Sequence, residues 1–189
     1  YQGQVPYDET KQTSIYLMGE VGLQLFLMES NASGECPTEN WEPYHYNIFI
    51  AEAVQGLMIL AGHAPWSDLT FILDNVFAFT DYEPILLPHD AVYTWGLDAL
   101  SQMGYTSGSL EERTWAFNNA KRREFKTNWF YTYFTVATFC PGSDHLFSDG
   151  WGGFAHDIFG PFAVQPGSGR QLLGSISNTF AHETCHVFG

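Results

Sequence analysis

"NWFYTYFTVATF", residues 128–139, is β-branched and aromatic throughout and apolar on both of its faces. A strand with water on one side alternates apolar and polar residues, whereas a strand apolar on both sides is covered on both. This run is therefore predicted to be a central strand, and the rest of the chain has to supply a cover for each face.

The flanking sequence supplies one. Upstream, residues 110–125 are predicted to be helical, and a shorter helix is predicted from an Asp90 cap to about Met103, stopped by Gly104. "DLTFILDNVFAF", residues 68–79, has the composition of a second strand. Before it, residues 45–62 set Ile48, Ala51, Val54, Leu57 and Met58 at helical spacing, with Gly62 as the stop. "TSIYLMGEVGLQLFLM", residues 13–28, has a period of two. Ile15, Leu17, Val21, Leu23, Leu25 and Leu27 fall on one side, which predicts a long strand with one buried face. Downstream, residues 140–170 are rich in glycine and proline, so hairpins and loops are expected, with one short strand in "FGPFAVQPGSG". The last element starts near Leu172 and is helical, striped by Leu172, Leu173, Ile176, Phe180 and Val187. The order is strand, helix, strand, helix, helix, strand, hairpin, helix. It predicts an α+β fold, a mixed twisted sheet packed by helices, in a single domain over residues 1–189.

Charge narrows the partners. Twenty-one acids against 7 bases give a net charge of −14, which repels phosphate backbones and argues against nucleic acid. Lys121, Arg122, Arg123 and Lys126 gather on one helix end, the position of a solvated charged face. No apolar run reaches the length of a membrane span. Cys36, Cys140 and Cys185 are odd in number, so at least one thiol is unpaired within the chain. Asn31-Ala32-Ser33 is a glycosylation sequon, and the chain opens without Met or a leader, as a processed or trimmed polypeptide does. The sequon points to a secreted or extracellular protein. The residues of "SDHLFSDGWGGFAHD", positions 143–157, mix acids with glycines, and calcium is a candidate cation for them beside a solvated loop. His45, His63 and His89 are isolated and expected to be capping, surface or core residues.

The chemistry lies at the end of the chain, in "AHETCHVFG". His182, Glu183 and His186 have the spacing H-E-x-x-H. Residues four apart on a helix differ by about 40° in direction and about 6 Å in height, so both imidazoles reach one ion at about 2.0–2.1 Å. Glu183 points to the side of the pair, where a carboxylate takes a proton from a metal-activated water without being a ligand. Cys185 points away from the anchoring stripe and sits about 100° from His186, a poor place for a further ligand. A structural role as a small packed residue suits it better.

"HETCHVFG" resembles the start of the extended metzincin signature, H-E-x-x-H-x-x-G-x-x-H or D, as found in secreted bacterial metallopeptidases. The match covers the last eight residues. It differs in having Cys185 where those relatives often have glycine. The upstream order of elements is similar to a metzincin N-terminal subdomain ending in the active-site helix. The resemblance implies a zinc-dependent endopeptidase, a metalloprotease with His182 and His186 on zinc and Glu183 as general base and acid. It also implies an edge strand bordering the cleft just upstream of the helix, expected over Gly160 to Val164. The third ligand and the C-terminal subdomain would follow Gly189. Three sources for that ligand stand open: a continuation of the same protein, another chain, or the upstream His145, Asp149, His156 and Asp157. The competing class is a non-catalytic metallopeptidase-like module or a subunit of an extracellular assembly.

Overall fold

The computed structural model describes residues 19–31, 41–137, 147–156, 160–167 and 175–188. It is a mixed α/β fold with a five-stranded, mostly parallel sheet and four α-helices. The strands are β1 (Glu20–Ser30), β2 (Thr70–Thr80), β3 (Trp129–Ala137), β4 (Phe154–Ala155) and β5 (Phe162–Gly167), in the order β2-β1-β3-β5-β4. The helices are α1 (Pro43–His63), α2 (Val92–Gln102), α3 (Leu110–Phe125) and α4 (Ser175–Phe188). Only β4 runs antiparallel, paired with β5.

The connections explain why both faces of the sheet are covered. From β1 the chain moves one way to β2, then reverses past β1 to β3. Right-handed crossovers in opposite directions put their helices on opposite faces. Accordingly, Val21, Leu23, Leu25 and Leu27 of β1 pack with Tyr131 and Tyr133 of β3 against α1 and α4. Phe26, Met28, Phe130 and Phe134 pack on the other face, with Trp95 of α2 and Phe117 of α3. Phe26 and Phe134 are register partners and their rings stack at 5.4 Å.

All nine residues of β3 are buried, so the central-strand expectation holds. The single buried face expected for β1 is corrected: Gln24, Phe26 and Met28 are buried as well, because β1 also lies inside the sheet. Residues 13–18 of that run lie outside the described residues. α3 follows its predicted limits, opened by a Ser109–Glu112 capping box. Asp90 does not cap α2; it lies in a short 3-10 turn, and Ala91 precedes the helix. Gly62 does not stop α1, which runs on to His63. The buried stripe of α1 is Phe49, Ala53, Gly56 and Leu57, with Val54 and Met58 exposed. The contact with α4 sets that rotation: a side chain at Gly56 would press on the Ser177 carbonyl at 2.7 Å.

The edge strand is also corrected. Residues 160–164 lead into and open β5, which has β3 on one side and β4 on the other. The edge is Phe154–Ala155, which pairs antiparallel with β5, and beside it the His156 N–H donates to the Phe162 carbonyl at 3.0 Å. Among the described residues no helix is long and apolar enough to cross a membrane.

Candidate active site

α4 forms where expected, without glycine or proline from Ser175 to Phe188. Ile176, Phe180 and Val187 anchor it in the core, while Leu172 and Leu173 lie outside the described residues. Its first turn is tied to α1, since the Ser177 N–H donates to the buried Glu52 carboxylate at 3.3 Å. Its underside rests on two tyrosines of β3. The Tyr133 ring stacks on Phe180 at 4.4 Å, and its hydroxyl donates to Gln165 Oε1 at 3.2 Å. Gln165 in turn donates to the Ile176 carbonyl at 3.3 Å. The Tyr131 hydroxyl meets Thr184 Oγ1 at 3.1 Å. Burial pushes both phenols well above their ordinary range, so they stay protonated.

The motif residues come together on the open side of this helix. His182 and His186 are exposed, with their Nε2 atoms 3.0 Å apart and their rings at 86°. That separation is of hydrogen-bond length, and it is also close to the spacing of about 3.3 Å between two nitrogen ligands at about 2.0–2.1 Å on a tetrahedral ion. Glu183 is 7 % exposed and lies beneath the rings. Burial raises its pKa above the ordinary carboxylate range, opposed by the two histidines and by a hydrogen bond from the Ala155 N–H. The helix thus sets two imidazoles in solvent and a carboxylate in a drier place beside them, tethered to the edge strand.

β4 and the loop before it form the opposite wall. Two cavities share Gly153, His182 and Glu183. One, of about 270 Å³, extends to Trp151 and His186; the other, of about 420 Å³, extends to Asn178 and Thr179. Together they make a cleft along the helix, with β4 beside it.

Two upstream ligand candidates are committed elsewhere. Asp149 Oδ2 lies 2.6 Å from His89 Nδ1, and burial of its carboxyl is outweighed by the bonds and charge of His89, which hold its pKa below the usual range. His156 Nδ1 meets the Tyr93 hydroxyl at 2.5 Å, while its Nε2 lies 2.8 Å from Glu111 Oε1. His145 and Asp157 lie outside the described residues, as do Cys36, Cys140 and Gly189. Among the described residues no third His, Cys, Asp or Glu joins the pair in a metal-holding group. Cys185 lies off the anchoring stripe as its helical position requires, but it is exposed and free, which corrects the packed role expected for it.

Sequence reasoning passed over the supports: Gly153, the Ala155 N–H, Glu52 and the Tyr133–Gln165 pair. The Gly152-Gly153 doublet beside Trp151 was a local signal for close approach. Nothing local marked Glu52, which meets α4 across 125 residues of chain. No protein-family model, curated protein or solved structure matches the chain.

Proposed function

We propose that this chain is a secreted, zinc-dependent endopeptidase of metzincin type, with His182 and His186 as metal ligands and Glu183 as general base. One observation carries the reading: two imidazole nitrogens 3.0 Å apart face a cleft, with a largely buried carboxylate beside them. An edge strand also borders the same cleft, although it is β4 and not the residues 160–164 that the resemblance implied.

Bound zinc would polarise the scissile carbonyl and make water acidic near neutral pH. The chain's own residues do the rest. Glu183 takes the proton of the attacking water as its oxygen bonds to the carbonyl carbon. It passes that proton to the amine nitrogen as the C–N bond breaks. β4 is the edge of the sheet beside the cleft, where an extended peptide would lie. Catalytic zinc sites use three protein ligands, and the third has the same three sources as before: a continuation of the protein, another chain, or an upstream residue such as His145 or Asp157.

Metal analysis after dialysis tests the ligands, and it is done on full-length protein. His186→Ala is expected to lose zinc that the parent retains. Glu183→Gln is expected to keep zinc while hydrolysis of a peptide substrate falls by about 10²-fold or more. Full activity in Glu183→Gln removes that residue from the mechanism, and unchanged zinc in His186→Ala removes the ligand assignment. A zinc-free parent that cleaves no peptide would leave the non-catalytic module instead.

A further inference from the structure

Trp151 is half in solvent, at 51 % exposed, yet it is not a loosely held surface residue. Its backbone carbonyl accepts the Phe147 N–H at 3.0 Å, and the Gly150 N–H closes the turn on the Phe147 carbonyl at 2.8 Å. Gly150 has φ of +86°, a conformation that permits the turn and strains most side chains. The Ser148 N–H ties the same loop to the Leu87 carbonyl at 3.1 Å. The indole itself stacks on the His89 ring at 4.6 Å and 30°. His89 is in turn fixed by Asp149 at 2.6 Å and by the edge of Phe154, 4.9 Å away. An aromatic surface has been braced from behind and left open in the cavity that contains His182, Glu183 and His186. Other exposed aromatic residues, such as Trp66 and Tyr44, do not line that cavity.

We propose that Trp151 is the specificity-determining wall of the cleft, an aromatic platform that selects peptides carrying an aromatic side chain next to the histidine pair. The opposite end of the cleft is lined by Asn178 and Thr179 and offers no such surface, so one substrate position is selected and not the whole segment. His89 and Asp149 are positioning residues that hold the indole upright. Stacking on an exposed, pre-set indole gives an aromatic group large contact area at little ordering cost. The proposal rests on the peptidase reading of the same cleft.

The test uses the full chain as its zinc-loaded Glu183→Gln variant, which binds without turnover. The probes are fluorescent hexapeptides of one polar sequence, with Phe, Leu or Ala placed at each position in turn. At one position Phe is expected to tighten binding about tenfold over Ala. Adding Trp151→Ala is expected to cut that preference to about twofold or less, and Trp151→Phe to retain most of it. Should Trp151→Ala fail to fold, as judged by circular dichroism, Trp151→Leu serves in its place; it should lose the preference for Phe over Leu. The absence of any Phe-preferring position, or a preference that survives in Trp151→Ala or Trp151→Leu, overturns the proposal. Hydrolysis by the parent is followed separately. A parent that cleaves none of these peptides, while the variant binds them through Trp151, overturns the peptidase reading and leaves the platform standing.

Discussion

At Gly153 the cleft wall comes as close to Glu183 as backbone can. A side-chain carbon there would stand 3.2 Å from Thr179 Cγ2, 3.2 Å from the Val164 carbonyl and 3.3 Å from Glu183 Oε1. The residue's φ of +154° is also one that glycine adopts far more easily than others. Thr179 and Val164 belong to packed elements, so the group with most room to yield is the carboxylate. Gly153→Ala is therefore expected to displace Glu183 from the Ala155 N–H. The cost in stability should be about 1–3 kcal/mol. Zinc content should stay at the parental level, because neither histidine is touched, while peptide hydrolysis falls about tenfold or more. Metal analysis beside a hydrolysis assay reads the two effects apart. Parental activity in a correctly folded Gly153→Ala variant would show that the carboxylate does not depend on this wall. The motif residues were legible because helix geometry alone brings His182 and His186 together. The glycine's role was not, since it depends on a neighbour thirty residues away.

The placement of α4 is settled by its fit against α1 as well as by its own stripe. Gly56 lets the two backbones approach, and Glu52, one turn earlier, accepts the Ser177 N–H. Gly56→Ala should force the helices apart, because the 2.7 Å approach is to a backbone carbonyl and not to a flexible side chain. A destabilisation of about 1–3 kcal/mol is expected, offset by up to about 1 kcal/mol from the better helix propensity of alanine. Urea unfolding measures the balance, and a more stable variant would contradict the tight contact. The same contact explains what the sequence left ambiguous. α1 carries apolar residues around much of its circumference, so periodicity offers two neighbouring stripes. The one read from the sequence is Ile48, Ala51, Val54, Leu57 and Met58, and the buried one, which shares Leu57 with it, is Phe49, Ala53, Gly56 and Leu57. Only the partner helix, which needs small residues facing it, selects the second. Strands were easier where composition was unconditional, as in β3. The antiparallel β4–β5 pair is a hairpin of the kind expected over residues 140–170, but the position of β4 was not legible, because two residues give no period to detect. His156, which follows β4, is held between Tyr93 of α2 and Glu111 of α3, both on the same face of the sheet.

Across the whole molecule, the sheet and its two covers carry a surplus of acid that no local contact removes. The chain has 21 acids and 7 bases, so even complete pairing leaves a net charge of −14. Lys121 shows how thin the neutralisation is, lying 3.9 Å from Asp74 and 3.2 Å from Glu124, so that one base serves two acids. Folding brings the unpaired carboxylates closer than they are in the expanded chain, and their mutual repulsion opposes the compact state. Salt screens charges separated by more than about 10 Å at 0.1 M, while buried contacts such as the Tyr133–Gln165 bond are hardly affected. Raising NaCl from about 20 to about 200 mM should therefore stabilise the fold near neutral pH, although it weakens each surface ion pair slightly. A gain of about 1 kcal/mol corresponds to a rise in melting temperature of about 2–4 °C for a chain of this size. The measurement is a thermal melt at several salt concentrations, followed by circular dichroism with a chelator present so that metal binding does not contribute. Charge-reducing substitutions at exposed acids should shrink the salt response, because they remove the repulsion that salt screens. A melting temperature that falls with added NaCl would mean that attractive surface pairs outweigh the excess of carboxylates.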